Sequence, residues 1–137
     1  MIQRIQTLWL FIATLTMVSL FYFPIYKISG DLLKIGNDFL AIILVVLSMV
    51  LSVIALFSYK NRKSQLIFIW MNLLLCIALQ IWLFVQIDKF TSLKAHNLDG
   101  YFWVGSFIPL ITIVFLFLAR TGINKDEKLL KSLNRLR

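Results

Sequence analysis

Charge and cysteine are both scarce in this 137-residue sequence. Only 15% of the residues are charged, whereas 61% are hydrophobic and the mean hydropathy is +0.89. A typical soluble domain is about half apolar and about a quarter charged, and a chain this short cannot bury so much apolar surface within itself. The composition therefore indicates a protein that uses the lipid bilayer as its second solvent.

The shortage of reactive side chains excludes several chemistries. Cys76 is the only cysteine and His96 the only histidine, so neither an internal disulfide nor a paired-cysteine redox centre can form. Facing haem ligands and a His/Cys metal cluster are excluded for the same reason. His96 lies near Asp88 and Asp99 in the sequence, but no hydrolase motif accompanies them. We therefore expect no catalytic residue, no cofactor and no metal site, and hence no enzyme.

Four apolar runs dominate what is present. A transmembrane helix needs about 20 mostly apolar residues, and runs 7–25, 39–58, 66–87 and 101–119 meet this need without any Asp, Glu, Lys, Arg or His. No signal-peptide cleavage pattern follows the first run, and its aromatic end, "FYFPIY", favours a retained anchor. We predict an all-α membrane protein, with an antiparallel four-helix transmembrane bundle over residues 1–120 and a cytoplasmic tail over residues 121–137.

The basic charge is concentrated on one side of this predicted bundle. The side of the two termini and the loop "YKNRKSQ" carries ten Lys and Arg residues against two acidic ones, which is the whole net charge of +8. The opposite side carries four of each sign. Short Lys/Arg-rich loops stay in the cytoplasm, so both termini are predicted to be cytoplasmic in a multi-pass bacterial inner-membrane protein. Because topology accounts for the charge, nucleic-acid binding is disfavoured.

Small and polar residues mark where helices touch in lipid. Asn72, Cys76 and Gln80 recur every four residues in the third run, and we expect Asn72 and Gln80 to make polar contacts inside the bundle. A functional role for them, as the lining of a pore, is left open. Pro109 is expected to kink the fourth helix. In the other runs the corresponding residues are Ala13, Thr16, Ser19, Ala41, Ser48, Ser52, Ala55, Gly105 and Thr112.

The end of the chain is predicted to form a separate amphipathic helix. Gly122 is expected to end the fourth helix, and Asn124 to cap the next one with Glu127 in a capping box. A leucine stripe and basic flanks follow, formed by Leu129, Leu130, Leu133 and Leu136 and by Lys125, Lys128, Lys131 and Arg135. So short a helix needs a surface, which is anionic lipid, the bundle's own loop or a protein partner. The candidate interaction surface comprises Lys60, Arg62, Lys63, Lys128, Leu130, Leu133 and Arg135.

Three stretches also carry a family resemblance. They are "MIQRIQTLWL" at the start, "YKNRKSQ" between the middle runs and "KDEKLLKSLNRLR" at the end. Together they resemble a family of small four-span integral membrane proteins of Bacteroidetes-type bacteria, catalogued as a domain of unknown function. The resemblance covers essentially the whole chain and implies an inner-membrane location, but it implies no activity, ligand or catalytic residue.

Two function classes fit these observations. The first is a non-enzymatic scaffold or accessory subunit that presents a basic cytoplasmic face to anionic membrane lipids or to a membrane or cytosolic protein partner. The second is a small homo-oligomeric transporter or channel lined by the third run.

Overall fold

The structure, a computed structural model, describes residues 3–28, 31–93 and 100–135. In these ranges the chain forms four α-helices, which are α1 Gln3–Ser19, α2 Phe39–Phe57, α3 Arg62–Leu93 and α4 Ile108–Arg135. It also forms three short strands, β1 Tyr26–Ile28, β2 Asp31–Leu33 and β3 Gly100–Phe102. Single 3-10 turns lie at Ile35–Asn37, Ser58–Lys60 and Val104–Phe107.

Three of the helical segments are long and apolar enough to cross a membrane. They are Phe39–Phe57, Arg62–Leu93 and Val104–Asp126. The first helix contributes a shorter apolar segment, Thr7–Ser19. Large apolar side chains cover the outside of these helices, for example Phe39 at 78% and Leu74 at 62% exposure. Such an exterior is stable in lipid and costly in water, which indicates a membrane protein.

The helices pack side by side around one apolar core. Helix α1 lies against α2 and α4, α2 against α3, and α3 against α4. Fully buried side chains from all four helices fill the space between them, including Met17, Val45, Leu79 and Leu116. The core therefore binds all four helices together, although the first is the shortest.

The first helix ends earlier than the sequence predicted. The run 7–25 was expected to be one span, but α1 stops at Ser19 and the chain turns, with the N–H groups of Tyr22 and Phe23 both bonded to the Ser19 carbonyl. Pro24 follows, and a proline disfavours helical geometry in the residue before it. The last residues of the predicted span therefore lead out of the helix and into β1.

The segments that connect α1 to α2 and α3 to α4 join in a small antiparallel sheet. Its strand order is β2-β1-β3, so β3, which precedes α4, pairs with β1, which follows α1. Gly100 faces Tyr26 and Ile28 so closely that a Cβ would overlap both side chains. We call this end of the bundle the sheet end, and the opposite end, with the Ser58–Lys60 turn, the loop end.

The fourth helix begins later than predicted, and Pro109 lies in its first turn. Residues 101 and 102 belong to β3, and α4 starts at Ile108, which places Pro109 in its first turn. The first N–H groups of a helix have no partner within the helix, so a proline there removes no hydrogen bond. The predicted mid-helix position of Pro109 was wrong, because the turn before it is a 3-10 segment.

The predicted break at Gly122 is also absent. Helix α4 continues through Gly122 and Asn124 to Arg135, so the expected separate tail helix is an extension of the last apolar helix. The predicted division between residues 120 and 121 falls inside it. Ile123 is fully buried and Asp126 is 7% exposed. Packing against the bundle offsets the cost of glycine in a helix, which is about 1 kcal/mol relative to alanine.

Candidate functional site

Asn72 lies at the centre of a buried polar cluster between α2 and α3. Its side-chain Oδ1 accepts a hydrogen bond from Ser48 Oγ at 2.6 Å, and its Nδ2 donates to Ser52 Oγ at 2.6 Å. Cys76 Sγ lies 3.6 Å from Ser48 Oγ and 3.9 Å from Asn72 Oδ1. These residues are at most 1% exposed, so the cluster bonds with itself and connects two helices.

Gln80 lies one turn further along the same face and has a less complete set of partners. Its Nε2 donates to the Ser106 carbonyl at 3.2 Å, which ties α3 to the turn before α4. Its Oε1 is buried and has no hydrogen-bond partner among the described residues. Gln80 also lines an apolar cavity of about 150 Å³, together with Phe84, Phe102, Ser106, Phe107 and Leu110.

A hydroxyl pair connects the other two helices. Thr16 Oγ1 and Thr112 Oγ1 lie 2.9 Å apart, so one of the two hydroxyls donates to the other. Thr16 Oγ1 also lies 2.8 Å from the Ala13 carbonyl and Thr112 Oγ1 3.0 Å from the Ile108 carbonyl, so the hydroxyl that accepts between the helices donates to its own helix. Thr112 is fully buried. Each helix pair α2–α3 and α1–α4 thus carries a side-chain hydrogen bond, which is how helices in lipid commonly associate.

Asp38 connects the start of α2 to α3 at the sheet end. The sequence prediction placed Asp38 in a loop and gave it no role. Asp38 caps α2 through the N–H of Leu40 at 3.2 Å. Its Oδ2 accepts from Trp82 Nε1 at 2.5 Å and from Gln86 Nε2 at 2.6 Å. A signal was present, because an Asp directly before an apolar run matches the N-cap pattern. Trp82 and Gln86 are spaced four residues apart on α3, but their partner could not be read from that spacing.

The loop end carries the predicted interaction surface, of which the structure describes part. Lys63 and Lys128 are exposed, whereas Arg62 is half-buried, and its Nη1 is buried without a hydrogen-bond partner among the described residues. Part of the Arg62 guanidinium therefore lies inside the structure. The side chains of the other predicted members, Lys60, Leu130, Leu133 and Arg135, lie outside the described part of the structure.

A cation–π contact also lies towards the loop end. The Arg120 guanidinium carbon is 4.2 Å from the centre of the Trp70 ring, which joins α4 to α3. Trp70 is 44% exposed. No role was predicted for Trp70, because the partner of an aromatic side chain in an apolar run cannot be inferred from spacing alone. Contacts of this kind contribute about 0.5–1 kcal/mol at exposed sites.

The residues considered for catalysis or metal binding do not assemble a site in the part of the chain that the structure describes. His96 and Asp99 lie outside the described residues, and the Asp88 side chain is exposed. Residues 3–28, 31–93 and 100–135 contain no group of three or more His, Cys, Asp or Glu side chains that could hold a metal ion.

A family model matches nearly the whole chain. The model of the family described as Domain of unknown function (DUF4293) matches residues 2–136. Neither the curated proteins nor the solved structures contain a match to the chain. The family model spans the helices, the sheet and the loop end, so the features described above lie within the matched region.

Proposed function

We propose that this chain, which belongs to the DUF4293 family, is a non-enzymatic scaffold or accessory subunit of the bacterial inner membrane. In this proposal its loop end faces the cytoplasm and presents a basic surface to anionic lipid or to a protein partner. Nucleic acid is not the proposed partner, because the positive charge serves the topology.

One observation carries the proposal, namely the unequal distribution of polar groups between the two ends and the interior. The whole net charge of +8 belongs to the side of the termini and the loop "YKNRKSQ". Within the bundle, the described amide and hydroxyl groups of Asn72, Ser48 and Ser52 bond with one another. Polar groups that satisfy each other hold helices together and leave little capacity for a substrate. The net positive charge available to an anionic partner is thus at the loop end.

The proposal includes four membrane crossings, with α1 as the shortest. Its 17 residues span about 26 Å at 1.5 Å per residue, compared with about 30 Å for the hydrocarbon core of a bilayer. The turn after Ser19 carries Phe21, Tyr22 and Phe23, which are 40%, 78% and 46% exposed. Aromatic side chains prefer the membrane interface. Helix and turn together therefore suit a crossing whose end lies among lipid headgroups.

The test is recovery of companion proteins from mild detergent with three variants of the α4 extension. They are a truncation before Lys125, the pair Leu130→Ser and Leu133→Ser, and the pair Lys128→Gln and Lys131→Gln. A protein groove that binds the leucines predicts loss of the partner with the serine pair and only partial loss in high salt. Docking on anionic lipid predicts release from vesicles with either pair, because apolar burial and charge both contribute.

Two results would contradict the recruiting role. Equal recovery of every companion protein after truncation would remove the extension from any recruitment. A steep dependence on salt with no response to the serine pair would indicate phosphate contacts of the nucleic-acid type.

A small homo-oligomeric transporter or channel lined by α3 is the second candidate. The observation that favours it is the unpartnered Gln80 Oε1 beside a cavity of about 150 Å³. Cys76 tests it, since the thiol is fully buried beside Asn72. Rapid reaction of Cys76 with a water-soluble maleimide in intact membranes would show an aqueous path along α3 and favour the channel. Reaction only after unfolding supports the scaffold.

A further inference from the structure

An apolar groove lies between α1 and α2 at the loop end. Its volume is about 510 Å³, and it is lined by Thr7, Leu8, Phe11, Leu56, Phe57 and Tyr59. Leu8, Phe11 and Phe57 are 53%, 56% and 77% exposed. We call this feature the α1–α2 groove. An open apolar groove on a membrane helix pair is stable only when apolar matter fills it.

Basic residues lie close to the groove in the sequence. Lys60 follows Tyr59 directly, and Arg62 and Lys63 open α3 after one further residue. The loop is compact because Asn61 N–H bonds to the Ser58 carbonyl at 3.0 Å. In α1, Arg4 stands four residues before Leu8, a spacing that places two positions on one helix face. The charges therefore belong to the start of α1, to the Ser58–Lys60 turn and to the start of α3, each within a few residues of the groove walls in the sequence.

Arg62 supplies an independent sign of a missing partner. Its Nη1 is buried and makes no hydrogen bond within the described part of the chain. A charged donor in this state loses its hydration without compensation. The planar guanidinium matches two oxygens of a phosphate. Lys63 is exposed next to it and can supply a second charge to the same anion.

We infer that the groove and loop bind one anionic phospholipid. An acyl chain fills the α1–α2 groove, and the headgroup phosphate is held by Arg62 and Lys63. Basic pockets between transmembrane helices on the cytoplasmic side are known to bind anionic headgroups. The inference deepens the proposed function and rests on its basic loop end. Lipid binding in micelles does not depend on membrane orientation, so it can fail or succeed separately from the proposed topology.

A second copy of the chain fits the groove less well than a lipid. A two-fold contact through this face, with the axis along the membrane normal, would bring the same patch of both copies together. Two basic loops would then lie on the same side of the membrane and repel each other. An anionic lipid instead neutralises the charge and fills the apolar volume.

Native mass spectrometry of the full chain from mild detergent tests the inference. The probes are phosphatidylglycerol and phosphatidylcholine with the same acyl chains, added at equal concentration. We expect one tightly held phosphatidylglycerol per chain. The double variant Arg62→Gln and Lys63→Gln should reduce its affinity about 30-fold, at about fivefold per basic residue. Its affinity for phosphatidylcholine should change less, because the choline ammonium offsets the charge of the phosphate.

A groove-filling variant and a charge-matched control complete the experiment. Leu8→Trp should lower the retention of both lipids, and Leu8 is exposed enough that the core is not disturbed. Lys34→Gln with Lys89→Gln removes two exposed charges from the sheet end and should leave retention unchanged. Circular dichroism and gel filtration of each variant confirm folding.

Three outcomes would overturn the inference. The first is equal retention of the two lipids by the unmodified chain. The second is an equal loss of phosphatidylglycerol in the sheet-end control, which would mean that only total charge matters. The third is a dimer that Leu8→Trp converts to monomer without a change in lipid retention, since the groove would then be an interface between two copies.

Discussion

Trp82 donates its indole N–H to the carboxylate of Asp38, with 2.5 Å between Nε1 and Oδ2. This bond connects the middle of one long helix to the residue that caps the start of another. Gln86 donates to the same oxygen from the next turn of α3, at 2.6 Å. A single carboxylate therefore fixes the start of α2 against α3, at the sheet end.

Replacing Asp38 with alanine should destabilise the bundle by about 2 kcal/mol, because it removes a helix cap and the charged acceptor of two hydrogen bonds. The measurement is the free energy of unfolding in mixed micelles by denaturant titration. Asp88→Ala is the matched control, since Asp88 is exposed and near the same end, and it should change stability by less than about 0.5 kcal/mol. Equal effects of the two variants would show that the Asp38 bonds contribute nothing specific.

Asn72 and Ser52 should be energetically coupled. Asn72→Leu is expected to cost about 1 kcal/mol, and the coupling energy with Ser52→Ala should be about 0.6 kcal/mol. Asn72 with Ser106→Ala serves as the control pair, because Ser106 contacts Gln80 instead. In this control pair, the effects of the two substitutions on the free energy of unfolding should add. The cycle is measured by unfolding in micelles, and additive behaviour of Asn72 with Ser52 would mean that the 2.6 Å bond does not persist in solution.

Replacing Pro109 should change the stability of the protein little, because Pro109 lies in the first turn of α4. Pro109→Ala is expected to cost about 1 kcal/mol or less, since a first-turn proline breaks no hydrogen bond. Introducing a proline at the exposed Val114, six residues after the start of α4, should cost about 3 kcal/mol or more. Thermal unfolding followed by circular dichroism compares them. If Pro109→Ala lowered stability as much as Val114→Pro, the proline would have a structural role that its first-turn position does not explain.

Both termini are predicted to be cytoplasmic. A fluorescent protein fused after Arg137 should therefore fold and fluoresce, whereas alkaline phosphatase fused there should be inactive. Phosphatase inserted in the loop near Lys94 should be active. The physical reason is the retention of Lys- and Arg-rich loops on the cytoplasmic side. The reverse pattern of phosphatase activity would invert the topology.

The sequence predicted α2 more accurately than the ends of the first and fourth helices. The run 39–58 agrees with α2, Phe39–Phe57, within one residue, because an uninterrupted apolar run between polar loops has few other structures available in lipid. The ends of the first and fourth runs were wrong. Aromatic residues such as Tyr26 and Tyr101 suit a membrane interface, a helix end or a strand equally well, and only the pairing of β1 with β3 decides between these.

The polar contacts were likewise predicted only in part. The spacing of Asn72, Cys76 and Gln80 indicated a shared helix face, but it could not supply their partners. Those partners, Ser48 and Ser106 among them, lie 24 and 26 positions away, and which helices meet depends on how the whole bundle packs. The continuation through Gly122 was missed for a similar reason, because burial of Ile123 against the bundle outweighs the local preference of glycine.

Because α4 is uninterrupted, the membrane part of the last helix and its extension form one continuous helix. Its 28 residues extend about 42 Å, about 12 Å more than the hydrocarbon thickness of a bilayer. No flexible joint at Gly122 separates the membrane part from the extension, so a tilt at one end displaces the other. A displacement of the extension therefore reaches the turn at Gly105. The N–H of Gly105 is bonded to the Pro24 carbonyl, just before the sheet.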